Sequence, residues 1–564
     1  MSTPHKSMSR EEQAKKEIGI TAVSRGVAWF LTMAYVTIIF GVVVVEYSRA
    51  VWQRRQGVEP QTDHIHAVWT GLGPKLASAW SAAPTRVEQA LAPNRELLRR
   101  ISAYETALDD RSWIVLATKS PVQVLMAHLG VGNEKAAIGR DGWLFYKPDI
   151  THVTGRGFLE PARLLQRSRE HDAPQPDPVL GIVHFRDELA ALGMELVVVP
   201  TPVKPTVSPH KLSRRAAPRQ AVNNQSHETF LERLAAEGVR VWDPAPALFG
   251  GPDEDVYLLT DTHWRPSEMR RVAERLADDL VRDGLVSGRG EVAYGLEPVR
   301  IEHYGDIRVM LGLPDGTPLF PAESVEIERV LEEDGTPWMN RTGGEVLLLG
   351  DSFTNIYAFE EMEWGDAAGF AEHLSRALAM PVERISRNDA GSYATREMLA
   401  SDRARGRDRL DGKRVVVWQF ATRELSQGDW RLVSLPELGE SRATDPERIA
   451  GAVEVVGYVD SVSNAPRRDA TYADFIMKFY VTGLERADGE PHDEGDGILH
   501  VRAMRNREIL PVAGLRAGTR IRARIVDWES VEDRYGAIKS GSLDDEMLEL
   551  EKDYFYAEML EPEL

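Results

Sequence analysis

From residue 179 the chain alternates between two periodicities. Residues 179–192 carry apolar side chains at helical spacing and end before Gly193, a residue suited to a left-handed C-cap. Residues 194–199 are almost continuously apolar, as a parallel strand covered on both faces should be. Residues 240–243, 345–349 and 414–420 read as three further strands, and 267–280 and 369–380 as helices. Strands alternating with helices over residues 136–435 predict an α/β domain of three layers with a mainly parallel sheet. Ligands of such sheets bind beyond the carboxyl ends of the strands. Residues 138–146, a turn feeding a short aromatic strand, mark the entrance to this domain.

The pattern differs at both ends of the chain. Residues 26–45 are an uncharged run of 20, just long enough as a helix to cross a hydrocarbon core of roughly 30 Å. Trp29 and Tyr47 fit interfacial positions, and Lys6, Arg10, Lys15, Lys16 and Arg25 outnumber Arg49, Arg54 and Arg55 across the run. The expectation is a cytoplasmic segment 1–25, an uncleaved transmembrane signal anchor 26–46 and a helical stalk 47–135. The bulk of the chain would then lie in the periplasm or outside the cell, tethered to the inner membrane. Ser48 and Ala50 offer a small-residue cleavage site, but the run is long for a signal peptide. After a polar linker at 436–448, five strand-like runs follow at 451–462, 474–484, 497–504, 519–528 and 553–560, with a helix expected only around 544–550. Five strands in so short a stretch predict a small β-barrel over 449–564, of the OB type. Such barrels bind oligosaccharides or oligonucleotides; a structural or docking role is equally open.

Length and composition narrow this. A chain of 564 residues exceeds one core, so two or three domains are expected, and 43% hydrophobic with 28% charged residues is an ordinary globular balance. A net charge of -20 disfavours nucleic acid as a partner. The absence of cysteine excludes disulfides, thiolate metal sites and a cysteine nucleophile.

Asp261-Thr262-His263-Trp264 and, later, Leu347-Leu348-Leu349-Gly350-Asp351-Ser352-Phe353-Thr354 supply the groups that acyl transfer needs. A serine hydroxyl needs a neighbouring base. His263 is the candidate base, with Asp261 orienting its ring and stabilising the imidazolium. A strand-to-helix turn at Gly350-Asp351-Ser352 would expose the hydroxyl and aim backbone N–H groups at a developing oxyanion. The chemical rival is a metal site in which Asp261 and His263 join His152, His184 or His303, but no close ligand spacing supports it. No Gly-rich phosphate loop is present and nothing calls for a cofactor.

Further motifs complete a resemblance. Gly142-Trp143-Leu144-Phe145-Tyr146 and Pro200-Thr201-Pro202-Val203-Lys204-Pro205 come first, then Thr260 with the Asp-Thr-His-Trp block. Gly305-Asp306-Ile307-Arg308-Val309-Met310-Leu311-Gly312, the serine block and Val416-Val417-Trp418-Gln419-Phe420 follow. In this order they resemble the alginate O-acetyltransferase group of SGNH-hydrolase-like proteins, over residues 138–430. The serine block follows the Asp-His block here, whereas in common GDS-type lipases it precedes it. The resemblance implies an SGNH-like α/β/α sandwich, with Ser352 as nucleophile, His263 as base and Asp261 as its partner. It also implies an acetyl-serine intermediate, a polysaccharide acceptor and a polytopic membrane O-acyltransferase that delivers acetyl groups. Oxyanion donors are not obvious; Asn388 and Gly391 are candidates, and Tyr357 is a candidate lining residue. The barrel matches no carbohydrate-binding module of the group.

The function expected is therefore an extracytoplasmic polysaccharide O-acetyltransferase. A carbohydrate acetyl-esterase with the same triad, or a non-catalytic membrane-anchored scaffold of an exopolysaccharide assembly complex, are the alternatives.

Overall fold

The computed structural model describes residues 24–56, 112–170, 174–251, 255–314, 316–439, 452–466, 472–487, 495–541 and 552–562, with single residues between 94 and 101 and at 543 and 548. Most of the expected cytoplasmic segment (1–23), much of the stalk (57–93 and 102–111), most of the linker (440–448) and nearly all of the helix expected around 544–550 lie outside the described residues. The chain divides into two units, residues 1–122 and 123–564.

In the first unit, a helix spans Arg25–Arg55, with Ser24 as its N-cap. Its apolar side chains include the exposed Trp29, Phe30, Leu31 and Met33. The helix also carries Glu46, Arg49, Arg54 and Arg55 in its second half. Among the described residues no helix is long and apolar enough to cross a membrane.

The second unit opens with the hairpin β1 (Ala136–Ile138) and β2 (Leu144–Tyr146), then β3 (Glu195–Thr201) and β4 (Arg240–Val241). A second hairpin, β5 (Gly295–His303) and β6 (Glu323–Leu331), precedes β7 (Val346–Gly350), β8 (Val382–Ser386) and β9 (Val415–Ala421). Five strands form one parallel sheet in the order β4-β3-β9-β7-β8. Period-two alternation sorts their side chains into two cores. Leu196 and Val198, Leu347 and Leu349, and Val416 and Trp418 face one core, which helices Pro178–Ala191 and His227–Ala236 close with Ile182, Phe185, Phe230 and Leu234. Val197 and Val199, Val346 and Leu348, and Val415 and Val417 face the other. That side is closed by helices Pro266–Arg282 and Phe370–Leu378. On Pro266–Arg282, Met269, Val272, Ala273, Leu276, Ala277 and Leu280 make a continuous apolar stripe. This is the three-layer α/β domain expected. The C-cap of Pro178–Ala191 is followed by Gly193 at φ 81°, the left-handed position its sequence suggested.

Strand β8, the β5–β6 hairpin and the helix His227–Ala236 are among the elements that the sequence pattern does not predict. Strand β8 reads Val-Glu-Arg-Ile-Ser and is buried throughout. Its charges are neutralised in place: Glu383 pairs with Arg409 and with Lys413 (2.7 Å), and Arg384 with Glu372 (2.7 Å). The β5–β6 hairpin escaped notice because its buried positions, Val325, Ile327 and Val330, are scattered among Glu and Arg.

All five C-terminal runs form strands: β10 (Val453–Val462), β11 (Phe475–Arg486), β12 (Asp496–Arg505), then, after the two-residue strand β13 (Glu508–Ile509), β14 (Arg520–Asp527) and β15 (Tyr554–Pro562). Pairings β11–β10, β10–β14, β14–β15, β15–β12 and β12–β11 close a five-stranded barrel around Phe479, Leu499, Val501, Ile521 and Ala523. It docks on the α/β domain near the end of β8: Arg387 Nη2 donates to the Ser540 carbonyl (2.9 Å), and Lys539 pairs with Asp389 (2.7 Å).

Removing one member of a buried charge cluster leaves the others uncompensated. Glu383→Ala should therefore destabilise the chain by about 3 kcal/mol, against well under 1 kcal/mol for an exposed carboxylate such as Glu228. Urea denaturation followed by tryptophan fluorescence measures the difference, and equal midpoints for the two variants would contradict it.

Candidate active site

The His-bearing loop is fixed before any chemistry is considered. Its two arms are bridged at Tyr257 and Trp264, and Leu258 N–H donates to the His263 carbonyl at 3.0 Å. Lys204, fully buried, donates from Nζ to the carbonyls of Leu259 and Asp261, both at 2.9 Å. Burial lowers its pKa to about 7, against the raising pull of Asp261 and Asp306. From the other side the helix start at Gly305-Asp306 packs onto the loop. A Cβ on Gly305 would lie 2.2 Å from the Thr260 carbonyl carbon, so only glycine permits this approach. Asp306 then accepts from Thr262 N–H (2.8 Å) and Thr262 Oγ1 (2.6 Å).

Within the loop, both oxygens of buried Asp261 are filled by donors. Oδ1 accepts from His263 N–H (3.0 Å) and His263 Nδ1 (2.7 Å); Oδ2 accepts from Asp306 N–H (2.9 Å) and Trp364 Nε1 (3.0 Å). The His263 ring packs on Phe353 with centroids 4.8 Å apart. Its Nε2 lies 2.9 Å from Ser352 Oγ.

Ser352 follows β7 directly, at the carboxyl end of the sheet, and begins the short helix Ser352–Asn355. Gly350 is required there, since a Cβ would meet Thr354 Oγ1 at 2.2 Å. Asp351 caps the turn, accepting from Phe353 N–H (2.9 Å) and from Ala421 N–H (2.7 Å) at the end of β9. Gln419 ties three strand ends: its Oε1 accepts from Asp351 N–H and Thr354 Oγ1, and its Nε2 donates to Thr201 Oγ1.

The structure thus brings Asp261, His263 and Ser352 into one hydrogen-bonded line. Of the other candidates, Asn388 is nearby: its Oδ1 accepts from Asn355 Nδ2 at 2.7 Å, which leaves its own NH2 as a donor. Gly391 lies behind the turn, where a Cβ would stand 3.2 Å from Asp351, and its carbonyl accepts from Trp418 Nε1. Tyr357 is buried and its hydroxyl donates to the Trp264 carbonyl at 2.6 Å, so it braces the His loop from the core.

The rival histidines are engaged elsewhere. His152 bonds to Ser426 (2.6 Å), His184 lies 3.9 Å from Glu188, and His303 bonds to the Tyr304 carbonyl (2.8 Å). Among the described residues the one group with metal-capable spacing is Asp261, His263 and Asp306. Their carboxylate oxygens are already occupied by N–H and O–H donors, an arrangement that orients an imidazole rather than opens a cation site. Asp306, Trp364 and Lys204 were given no role from sequence. The Gly305-Asp306 and Lys204 motifs were visible, but only the fold connects them to Asp261; Trp364 carries no local signal. A cavity of about 780 Å³ lies between the barrel and the α/β domain, lined by Arg387, Tyr393, Arg405, Trp528 and Tyr554, and does not include Ser352.

A family model described as the SGNH hydrolase-like domain of the acetyltransferase AlgX matches residues 136–422. That is just over half of the chain. The chain belongs to this family. It is accordingly an enzyme, an SGNH hydrolase-like acetyltransferase. The protein called probable alginate O-acetylase AlgJ of Pseudomonas aeruginosa PAO1 is 25% identical over 299 residues, covering 52% of this chain and 71% of that one. Its counterpart in Pseudomonas fluorescens is 25% identical over 307 residues, covering 52% and 69%. Among solved structures, the O-acetyltransferase domain of Pseudomonas putida AlgJ aligns at 22% identity with a TM-score of 0.39, over 52% of this chain and 93% of that one. Pseudomonas aeruginosa AlgX aligns at 17% and 0.40, over 66% and 83%.

The charges in this candidate site follow from its contacts. Burial alone would lower the His263 pKa; the hydrogen bond and charge of Asp261 outweigh it and raise the value above 6.5. Burial pushes Asp261 up, but His263, Asp306 N–H and Trp364 bring it down to about 2. Asp306, buried beside the charge of Asp261, rises to about 6. His263 therefore contributes stability that is complete below pH 6.5 and lost as pH rises through its folded value. Asp261 contributes stability present above 3.8 and lost as pH falls through about 2. Asp261→Asn leaves burial opposed only by the smaller pull of Asp306, so the His263 midpoint should fall. Imidazole ¹⁵N chemical shifts against pH measure this; an unmoved midpoint would show that Asp261 does not set the value.

Proposed function

We propose that the protein is a polysaccharide O-acetyltransferase acting outside the cytoplasm through a Ser352-His263-Asp261 triad and an acetyl-serine intermediate. The observation that carries the reading is the 2.9 Å contact of Ser352 Oγ with His263 Nε2, whose Nδ1 is held 2.7 Å from Asp261. Ser352 Oγ bonds to the acetyl carbonyl carbon while its proton passes to Nε2. The tetrahedral oxyanion collapses, the donor's leaving atom takes that proton, and acetyl-Ser352 remains. A sugar hydroxyl then attacks the acetyl carbon, giving its proton to Nε2, and Ser352 Oγ leaves with it. The Ser352 N–H at the head of its short helix and the Asn388 amide are the proposed oxyanion donors. Arg423, 3.3 Å from Asp149 and 5.8 Å from the Phe353 ring centre, adds positive potential beside the turn.

The polymer is inferred from relatives named as alginate O-acetylases, and a polytopic membrane acyltransferase is the donor partner proposed with it. The five-stranded barrel, with its single parallel pair β12–β15, fits the OB type proposed for it. We further propose that residues 26–46 hold the chain at a membrane, on the uncharged run at 26–45 and the exposed Trp29, Phe30, Leu31 and Met33, although among the described residues no helix is long and apolar enough to cross one. A chain lacking residues 1–56 should leave the membrane fraction on fractionation; retention there would contradict the anchor.

Turnover of a chromogenic acetyl ester tests the chemistry. Ser352→Ala should lose roughly 10⁴-fold or more in kcat. Because the neutral imidazole is the base, wild-type kcat/KM should rise with pH through a midpoint above 6.5. Oligosaccharide acceptors should divert acetyl from water to sugar. Undiminished turnover by Ser352→Ala contradicts the triad, and release of acetate alone with every acceptor supports the esterase instead.

A further inference from the structure

Two arginines of the barrel reach the segment that holds the active-site carboxylate. Arg507 forms, with Asn506, the two-residue turn between β12 and β13, where both take the left-handed conformation (φ 65° and 48°). That conformation is uncommon for an arginine; here its N–H donates to the Ala473 carbonyl at 2.7 Å. Its Nη1 and Nη2 donate to the two carboxylate oxygens of Glu363 at 2.8 and 2.9 Å, a bidentate fork. Arg502 on β12 donates to Glu361 at 3.2 Å. Both acids lie in the irregular stretch 360–366, where Glu363 has φ 66° and Gly365 φ 101°. The residue between them, Trp364, is buried and donates its indole N–H to Asp261 Oδ2 at 3.0 Å.

We propose that Arg507 is a positioning residue for acyl transfer: the barrel grips Glu363 so that its neighbour Trp364 stays on Asp261. The proposal rests on the triad reading given above. The barrel becomes part of the catalytic machinery through four links, Arg507 to Glu363, Trp364 to Asp261, Asp261 to His263 and His263 to Ser352. From the α/β side the same stretch is held by Arg329 of β6, which donates to Asp366, by the packing of Trp364 in the core, and more weakly by His303, whose Nε2 lies 3.8 Å from Glu363. The barrel supplies the bidentate contact at Glu363, the residue next to the indole. Glu363 and Trp364 are adjacent in sequence, so the gripped carboxylate and the indole belong to neighbouring residues.

The test is ester turnover by the full chain across pH. Trp364→Phe removes a donor from Asp261, leaves a more basic carboxylate and moves the acid limb to higher pH. Arg507→Ala and the milder Glu363→Gln should move the limb the same way and lower kcat on the order of tenfold with KM for the ester little changed. Arg507→Ala combined with Trp364→Phe should be no slower than Trp364→Phe alone, and the exchange Arg507→Glu with Glu363→Arg should recover activity. A wild-type pH profile in both Arg507→Ala and Glu363→Gln, or effects that multiply with Trp364→Phe, overturns the proposal. Ser352→Ala run alongside separates the failures. If it remains active the triad falls; if it is inactive while Arg507→Ala behaves as wild type, only the clamp falls.

Discussion

The site depends on one buried carboxylate. Asp261 is out of water, a condition that alone would cost its charged form several kcal/mol. Four N–H donors converge on it, two from His263, one from the Asp306 backbone and one from Trp364. Their combined effect keeps it ionised, and an ionised Asp261 fixes the tautomer of His263 with Nε2 as the acceptor facing Ser352. The surrounding features serve this placement: Lys204 on the loop carbonyls, Gly305 against Thr260, Tyr357 on Trp264.

The serine arrives by a different route. A parallel sheet delivers residues to its carboxyl edge, and β7 is an interior strand, so Ser352 emerges where β3, β7 and β9 end together. Gln419 and Asp351 join those ends, coupling the position of Ser352 to the sheet rather than to a surface loop. Loop and strand are 89 residues apart in sequence and meet at 2.9 Å.

Much of this could be read from the chain, because strong apolar runs mark central strands and the Asp-Thr-His and Gly-Asp-Ser blocks are local. The barrel strands were equally plain from their spacing. What escaped reading lacks a local signal. Strand β8 hides behind Glu383 and Arg384, whose charges are cancelled by partners on other elements. Trp364 and Asp306 gain their roles only through contacts with a loop 45 to 103 residues away. Tyr357 sat one turn beyond Ser352 in sequence, yet its hydroxyl is spent on the Trp264 carbonyl. For Asn388 and Gly391, sequence located the neighbourhood of the turn and the fold separated a side-chain donor from a packing position.

Quenched-flow mass spectrometry with peptide mapping addresses the central claim most directly. Mixed with an acetyl donor and stopped within a turnover, the wild-type chain should carry one acetyl group, on the peptide containing Ser352, and the label should disappear when an oligosaccharide acceptor is added. Turnover with no acetyl at Ser352, or with acetyl fixed on another residue, would contradict the account.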